Sequence, residues 1–404
     1  MKILMINVVC GSGSTGRICT DFATELEKEG HEVRIAYGRG KVPDQFKKYA
    51  FRIDTTREIL AHGLKARLWD GDGFGSKTAT EKFIKWIQEY DPDIIHLHNL
   101  HGYYVNIELL FGFLKIYKKK IVWTLHDLWA FTGHSPICDL VSCKRWETGC
   151  YKCPLKNSYP KTYVDRSKSN WIKKKKLITA VREIEVITPS NWLACFVKKS
   201  YMGKFNVNVI HNGIDIQEFR PLKNDFREVY ELKDKFVVLG VANVWNDMKG
   251  FPDFVKLAEL LDDKYAIVLV GVTEKQKHHL PKNIIGIGKT ESIKELAGIY
   301  SSADVFLNLT YCDNYPTVNL EAIACGTPVI TYNTGGSSES VGRGSGVTVT
   351  KGKLQEVIAE IKKLKTQSYR MNNLTGERRE EFSKETALKN YCLLYRSCEE
   401  KQIV

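Results

Sequence analysis

Apolar and polar positions follow two alternating patterns along the chain. Short apolar runs bounded by turn residues are typical of buried strands, and segments with an apolar residue every three or four positions are typical of amphipathic helices. The runs predict strands at 2–9, 32–37, 93–98, 121–125, 186–190, 207–211, 236–241, 266–270, 283–287, 305–309 and 329–332. The periodic segments predict a helix that ends near residue 29 and helices at 81–90, 107–117, 192–200, 251–261, 292–301, 354–365 and 377–401. Strands that alternate with helices indicate an α/β protein with parallel sheets.

The stretch 313–328 carries the clearest chemical signal. It follows a predicted strand, and Pro316 suits the first position of a further helix, which Gly326 ends. Asp313 precedes this helix, and Glu321 follows eight positions later inside it. The free N–H groups and dipole of a helix start suit a phosphate, and a carboxylate on each side could hold sugar hydroxyls. A surface acidic residue and a helix-face glutamate in an ordinary α/β unit explain the same pattern.

This stretch, DNYPTVNLEAIACGTP, resembles the motif of family-four retaining glycosyltransferases, in which a carboxylate is followed after seven residues by glutamate. Most members begin the motif with Glu, and Asp313 is a variant seen together with the Asn-x-Pro that follows it. The resemblance covers nearly the whole chain in order and is closest to the branch that builds bacterial capsular polysaccharides and exopolysaccharides of the colanic-acid type. It implies the GT-B fold, with two Rossmann-like domains facing each other across a cleft. It further implies that Asp313 holds the donor sugar and that Glu321 holds the ribose hydroxyls.

The resemblance also implies the domain limits. In the family, an Asn-Gly-x-Asp turn such as Asn212–Asp215 marks the passage to the second domain. We therefore expect an acceptor-side domain at 1–206 and a nucleotide-sugar-binding domain at 207–387. A C-terminal helix at about 388–404 is expected to pack back on the first domain. A length of 404 residues is sufficient for two domains of ordinary size.

A glycine-rich segment after the first strand, GSGSTG, predicts a turn before a helix, which is the opening of a Rossmann-like unit. In the resembled family this loop faces the donor diphosphate, and Gly13 and Gly16 are the matching positions. A turn that merely needs glycines is an equally good interpretation.

Further donor-binding residues follow from the resemblance. In the family, an arginine and a lysine in the first loop of the second domain neutralise the diphosphate. Lys249 matches the lysine, whereas the arginine position falls on Asn243, which can offer only a hydrogen bond. Thr317 lies at the predicted helix start. Gly335 and Gly336 resemble the family's phosphate-binding turn.

His126 stands directly after the predicted strand 121–125, at the end of the strand where open α/β sheets place ligands. The segment His126–His134 resembles the acceptor-side segment of the same branch, in which this histidine lies near the reacting sugar. We therefore take His126 and Asp313 as the candidate catalytic residues. Lys249, the two glycine turns and the helix start at Thr317 could stabilise the leaving diphosphate, so we expect catalysis to need no cofactor and no metal.

Four cysteines lie close together in an irregular, basic and aromatic segment: Cys138, Cys143, Cys150 and Cys153. The last two are separated by two residues, a gap common in zinc knuckles, and four thiolates suit a closed tetrahedral site. The spacing predicts a structural zinc ion. Unligated buried cysteines, and disulfides formed after purification, remain alternatives.

Composition restricts the class of protein. Hydrophobic residues make up 43% of the chain and charged residues 26%, as in soluble globular proteins, and no apolar run approaches the length of a membrane span. The first residues lack the features of a signal peptide, so we expect a cytoplasmic protein. The formal net charge is +13, and the lysine runs 118–120 and 173–176 indicate either solvated surface or contact with an anionic membrane or a lipid diphosphate. No nucleic-acid motif accompanies the charge.

The resemblance implies an enzyme that moves a hexose from a UDP- or GDP-sugar to a saccharide with retained configuration, and the charge and the family branch together favour a lipid-linked acceptor. The acceptor would place it at the inner face of the cell membrane. A GT-B epimerase that hydrolyses its nucleotide sugar and a non-catalytic GT-B binding subunit are the alternatives.

Overall fold

The computed structural model describes residues 1–342, 344–366 and 379–396. The contacts between residues divide the described chain into two compact units, one formed by residues 1–210 with the segment from 390 to 396 and the other by the described residues between 211 and 389. The sequence predicts divisions after residues 206 and 387. Each unit contains one parallel sheet, as the α/β prediction requires.

The first unit is built on a seven-stranded parallel sheet with the strand order β3-β2-β1-β4-β5-β6-β7. Its strands are β1 (Lys2–Val9), β2 (Glu32–Arg39), β3 (Ala50–Arg52), β4 (Ile94–Leu97), β5 (Lys120–Thr124), β6 (Glu185–Thr188) and β7 (Asn206–Val209). Its helices include α1 (Gly13–Lys28), α2 (Thr56–Trp69), α3 (Lys77–Tyr90), α4 (Ile107–Leu114), α5 (Ser167–Thr179) and α6 (Asn191–Lys199). The central strands are buried along their length because helices cover a parallel sheet on its faces.

The second unit has a six-stranded parallel sheet with the order β10-β9-β8-β11-β12-β13. Its strands are β8 (Phe236–Val241), β9 (Tyr265–Val270), β10 (Ile284–Ile287), β11 (Val305–Asn308), β12 (Val329–Tyr332) and β13 (Gly346–Val349). The helices after residue 211 are α7 (Phe226–Val229), α8 (Phe251–Leu260), α9 (Glu274–Lys277), α10 (Ile293–Ser302), α11 (Thr317–Ala324), α12 (Leu354–Thr366) and α13 (Lys384–Arg396). From residue 390 onward, α13 belongs to the first unit. Apolar clusters on either face of this sheet form its core.

The fold corrects several sequence predictions. Strand β7 is expected in the second domain, but it pairs with β6 and forms the edge of the first sheet. Helix α1 begins at Gly13, so the glycine-rich turn is shorter than expected. Pro316 caps α11 from outside and is not its first residue. Strands β3 and β13 and helix α5 are not predicted at all. The predicted helix 377–401 extends at both ends beyond the described residues.

The strand order places the site candidates. In the first sheet, successive strands are added on one side of β1 up to β3 and on its other side from β4 onward. In the second sheet the same reversal of strand order occurs between β8 and β11. Loops that leave the carboxyl ends of such strand pairs diverge and form a crevice, which is where open α/β sheets bind ligands. The loop with Gly13 follows β1, and the loop with Lys249 follows β8. None of the helices in the described ranges is both long enough and apolar enough to cross a membrane.

Candidate functional site

Lys249 and Asp313 meet at the reversal point of the second sheet. Lys249 ends a short 3-10 turn after β8, and Asp313 follows β11, the neighbouring strand. The Lys249 Nζ lies 2.7 Å from Asp313 Oδ2. Their side chains are 38% and 21% exposed, so the pair is accessible to a ligand. The carboxylate of Asp313 raises the pKa of Lys249 further above its usual value, so this ammonium stays charged at neutral pH.

The loop that carries Lys249 is held against the end of β11 by its backbone. The Tyr311 N–H donates to the carbonyl oxygen of Met248 over 2.7 Å. Gly250 adopts a φ of +72°, and a Cβ there would lie 2.2 Å from the Leu309 carbonyl oxygen. Only glycine permits this approach, which brings the lysine beside Asp313.

The glycine turn at 335–336 packs on the backbone of Asp313. The Gly336 N–H donates to the Asp313 carbonyl oxygen over 3.2 Å. A Cβ on Gly335, whose φ is +54°, would lie only 1.7 Å from that same oxygen. The structure therefore brings the predicted phosphate turn to the predicted sugar-binding carboxylate. It also modifies the prediction, because the Gly336 N–H is already engaged and cannot serve a phosphate at the same time.

Helix α11 presents the remaining predicted residues of this unit. Thr317 is its first residue, and the capping residue Pro316 supplies no side-chain hydrogen bond to the helix start. The free N–H groups of such a start attract anions. Glu321 lies one turn further, where the hydroxyl of the buried Tyr300 donates to Glu321 Oε2 over 3.0 Å. Tyr300 is thus an orienting residue that the sequence analysis missed, because nothing in its spacing connects it to Glu321.

Asn243 lies in the exposed part of the loop after β8. Its exposure agrees with a position that a ligand could reach. Nothing in the structure gives Asn243 the positive charge that the family's arginine would supply at this place.

Gly13 and Gly16, the two candidate glycines of the first unit, occupy their positions for different structural reasons. Gly13 adopts a φ of +62° with no atom within 4 Å of a Cβ built on it, so open space adjoins this backbone. Gly16 packs on β1, since its Cβ would lie 3.0 Å from Val9 Cγ2. The buried Asn7 fixes the loop by donating to the Val9 carbonyl oxygen over 2.8 Å. Gly13 therefore remains a candidate for ligand contact, while packing alone explains Gly16.

His126 follows β5 and belongs to a row of three imidazoles. Its Nε2 lies 3.1 Å from Nδ1 of His98, and the two rings are stacked. The ring of His98 lies 4.1 Å from that of His96, measured between centroids. Burial lowers the pKa of His126 to about 4 and that of His96 to about 3, so both are neutral at physiological pH. His96 lies on β4 and His98 directly follows that strand, two positions later, but only the strand order shows that they adjoin His126.

Buried charges stabilise the segment that follows His126. Asp127 accepts a hydrogen bond from the Trp129 N–H and pairs with His101 Nε2 over 2.8 Å. Lys174 of α5 is buried, and its Nζ donates to the Trp129 carbonyl oxygen over 2.9 Å. Burial lowers the pKa of Lys174 to about 7, against the opposing effect of nearby aspartates such as Asp72. Lys174 belongs to the run 173–176 that the sequence predicts to be solvated or membrane-facing, and its burial corrects that prediction, whereas His101 was left without a role.

The four cysteines come together around one small cavity. Cys138, Cys143, Cys150 and Cys153 all line a space of about 20 Å³, which is enough for one water molecule or ion. Burial raises the pKa of Cys150 and of Cys153 to about 11, and that of Cys138 higher still. Within the part of the chain that the structure describes, no three histidine, cysteine or acidic side chains are grouped so that they could hold a metal ion. The zinc site therefore stays a prediction.

Two family models match the chain in succession. The model described as Glycosyltransferase Family 4 matches residues 15–218, about half of the chain. The model described as Glycosyl transferases group 1 matches residues 223–388.

Individual proteins extend this similarity. The "Putative colanic acid biosynthesis glycosyl transferase WcaC" of Escherichia coli K12 is 26% identical over 371 residues, which are 89% of each chain. The N,N'-diacetylbacillosaminyl-diphospho-undecaprenol alpha-1,3-N-acetylgalactosaminyltransferase of Campylobacter jejuni is 24% identical over 139 residues, 32% of this chain and 36% of that protein. Among solved structures, Anabaena Alr3699/HepE in complex with UDP-glucose superposes with a TM-score of 0.68 at 17% identity, covering 98% of this chain and 100% of that one. At this identity the likeness shows the fold, and it confirms the GT-B prediction.

Proposed function

Because the chain belongs to Glycosyltransferase Family 4, we propose that it transfers a hexose, with retained configuration, from a nucleotide diphosphate sugar to a lipid-linked saccharide. The product would enter a bacterial surface polysaccharide, as the name of the E. coli relative indicates for that protein. The name of the Campylobacter relative describes transfer to a diphospho-undecaprenol acceptor, and the Anabaena neighbour holds UDP-glucose. These names support both the donor class and the acceptor class of the proposal.

The observation that carries the proposal is the Lys249–Asp313 contact beside the start of α11. The leaving group is a nucleoside diphosphate, so the transition state gains negative charge that must be stabilised. Lys249 and the free N–H groups at Thr317 would supply positive charge to the diphosphate without a metal ion. Asp313 would bind hydroxyls of the donor sugar, while Glu321, oriented by Tyr300, would bind the ribose.

His126 is proposed to contact the donor sugar or the acceptor near the reacting carbon. Its position after β5 and its half-buried side chain suit a group that meets substrate. Being neutral, it adds no positive charge to the site and acts through hydrogen bonding.

Membrane contact is proposed for the first unit, with only some of the lysines in the two runs available for it. Lys120 donates to the Leu394 carbonyl oxygen, Lys119 pairs with Asp91 over 2.7 Å, and Lys174 is buried. Lys119, Lys120 and Lys174 are therefore occupied within the unit, whereas Lys173, Lys175 and Lys176 of the second run are exposed.

Helix α2 offers a better surface for docking. Leu60 and Leu64, one turn apart, are 68% and 58% exposed. Arg57 and Arg67 flank them at helical spacing, and the exposed Tyr163 lies under the Arg67 guanidinium. We call these five residues the α2 surface. Apolar side chains between cations fit the interface of a bilayer that contains anionic lipids.

A thermal-shift screen against nucleotide sugars tests the donor half of the proposal. A matched donor at one hundred times its Kd should stabilise the fold by about 2.7 kcal/mol through mass action. Glu321→Gln should weaken that donor by roughly 1.5–3 kcal/mol, because a charge-assisted hydrogen bond is lost. Glu259→Gln, on the exposed side of α8, is the matched control and should bind normally.

Product analysis with the matched donor then separates the alternatives. Transfer to a lipid-linked acceptor with retained configuration supports the proposal. Free UDP and an epimerised sugar without acceptor would identify an epimerase instead. If no nucleotide sugar in the panel shifts the unfolding midpoint, a non-catalytic binding subunit becomes the better interpretation.

A further inference from the structure

His98 holds a direct hydrogen bond to the candidate catalytic histidine. Its Nδ1 lies 3.1 Å from His126 Nε2, and the indole N–H of Trp123 donates to the His98 carbonyl oxygen over 3.0 Å. His98 is 1% exposed, so its ring is fixed by packing as well as by this backbone contact. A ring held in this way can set the position of the proton on the ring it contacts.

We propose that His98 is a positioning residue, which donates its Nδ1–H to His126 Nε2 and so fixes His126 in the tautomer that carries its proton on Nδ1. The inference rests on the proposed function in one respect, namely that His126 meets the substrate. The tautomer itself is a property of the protein alone.

The direction of the hydrogen bond follows from the other nitrogen of His98. Its Nε2 is buried, and no group in the described part of the chain forms a hydrogen bond with it. If His126 donated instead, the neutral His98 would carry its proton on this Nε2, as a buried N–H without an acceptor. Such N–H groups are rare in folded proteins, and an unbonded lone pair is the less costly arrangement. The structure thus favours donation by His98.

The neighbouring groups do not offer another arrangement. His96, whose ring is tilted against that of His98, uses both nitrogens elsewhere: Nδ1 contacts the Tyr395 hydroxyl over 2.6 Å, and Nε2 contacts Thr124 Oγ1 over 2.8 Å. Asp127 is engaged by His101 and by the Trp129 N–H. Burial lowers the pKa of both His98 and His126, so the pair shares a single proton between the facing nitrogens.

The consequence is a defined chemical role for His126. Its Nε2 lone pair is occupied by His98, so His126 cannot act as a base through that atom. Its Nδ1–H remains, and no hydrogen bond to it is formed within the described residues. An N–H donor of this kind suits an oxygen, such as a sugar hydroxyl or a developing anionic oxygen.

Nuclear magnetic resonance on histidine-labelled protein tests the tautomer without any substrate. Long-range proton–nitrogen correlations distinguish protonated from unprotonated ring nitrogens, and the signals of His126 are assigned by their loss in His126→Gln. We expect a proton on Nδ1 and none on Nε2 at neutral pH. A proton on Nε2 of His126 would overturn the inference.

Two variants at one position test the positioning role. His98→Asn places an amide N–H near the site of Nδ1 and should keep both the tautomer and most of the turnover. His98→Leu removes the donor that fixes the ring of His126, and we expect its Nδ1–H signal to weaken or broaden and kcat to fall roughly tenfold with little change in the KM for the nucleotide sugar. His278→Gln, on the exposed surface of the second unit, is the control and should change neither quantity.

The outcomes separate this inference from the proposed function. Equal turnover in His98→Leu and the unmodified protein, with both folded by their unfolding midpoints, would overturn the positioning role. A correct tautomer in a protein that transfers no sugar from any donor would support the hydrogen-bond direction and contradict the proposed function instead.

Discussion

At the scale of single residues, the Lys249–Asp313 pair links two roles that the sequence treats separately. The lysine is expected to bind phosphate and the aspartate to bind sugar, yet the two side chains contact each other. Each side chain therefore limits how freely the other can bind the donor. A substitution at Asp313 should act on both functions, but in opposite directions.

Asp313→Asn should lower kcat roughly tenfold or more, because a charged hydrogen bond to the sugar is lost. Affinity for free UDP or GDP should stay the same or rise by up to about fivefold, since an exposed ion pair contributes about 0–1 kcal/mol and Lys249 is released from it. Calorimetric titration and steady-state kinetics measure the two quantities. Asp247→Asn, in the same loop as Lys249, is the control. A parallel loss of nucleotide affinity and turnover would contradict the assignment.

The buried imidazoles predict a sensitivity to acid. The pKa of His96 is lowered to about 3 and that of His126 to about 4, both by burial, whereas the unfolded chain titrates near 6.5. The unfolded state therefore gains protons first as the pH falls. The free energy of unfolding should decrease below about pH 6.5 by up to about 1.4 kcal/mol per pH unit for each such imidazole.

Urea unfolding at pH 7.5 and 5.5 measures this loss. His101 acts in the opposite sense, because Asp127 raises its pKa against the effect of burial. The change in unfolding free energy is therefore compared between the unmodified protein and a variant of one imidazole. His126→Gln should show a smaller loss on acidification than the unmodified protein. Identical losses in the two proteins would show that His126 is not held neutral.

At the scale of elements, the sequence predicts those strands that are apolar throughout. The predicted strands 236–241 and 329–332 match β8 and β12 because parallel strands buried on both faces appear as continuous apolar runs. Helix α5 is missed for a physical reason. Its buried face includes Asn170, which donates to the Asp70 carbonyl oxygen, and Lys174, so polar bonds replace the apolar periodicity that signals a helix.

The candidate site was predictable only in part. The chemical types of Lys249, Asp313 and Glu321 follow from motif resemblance, but their contacts depend on which strands are neighbours. Lys249 and Asp313 are 64 residues apart, and only the adjacency of β8 and β11 brings them together. The same holds for His98 and His126, whose partnership requires that β4 and β5 adjoin.

Helix α13 is anchored to the first sheet by two phenols. The Tyr395 hydroxyl contacts His96, and the Tyr391 hydroxyl contacts Thr124 over 3.0 Å. Tyr395→Phe should lower the free energy of unfolding by about 1–3 kcal/mol, because a buried nitrogen of His96 loses its partner. Leu393→Ala, at an exposed position of the same helix, should change it far less. If Tyr395→Phe and Leu393→Ala lowered the free energy of unfolding equally in urea, the hydrogen bond between Tyr395 and His96 would not be what stabilises α13.

The cysteine segment predicts a bound metal. We expect about one zinc per chain by elemental analysis of protein purified without chelator, since four thiols already line one cavity. The Cys150→Ser, Cys153→Ser double variant should lose the metal and unfold at a lower temperature. Cys195→Ser, at an exposed thiol, is the control. Metal-free protein with an unchanged unfolding midpoint would identify the cysteines as ordinary packing residues.

At the scale of the whole molecule, the net charge and the α2 surface together predict reversible membrane contact. Vesicles that contain anionic lipid should retain the protein at low salt and release it at high salt. Leu60→Ser with Leu64→Ser should weaken retention roughly tenfold or more, because each buried leucine contributes about 1.5–3 kcal/mol. Leu260→Ser with Ile293→Ser, at exposed apolar positions of the second unit, should have no effect. Unchanged retention in the α2 variant would locate docking elsewhere.

The anchoring of the first sheet by Tyr391 and Tyr395 has a consequence during synthesis on the ribosome. Most of the first unit has emerged once Ile210 is made, but its two phenolic anchors are encoded about 185 residues later. At about 5–20 residues per second, the nascent chain waits roughly 10–40 s for them. During that interval His96 lacks its tyrosine partner and the surface that α13 covers is open. Premature termination before the last helix would therefore leave the first unit, although translated in nearly its whole length, exposed to chaperones and proteases.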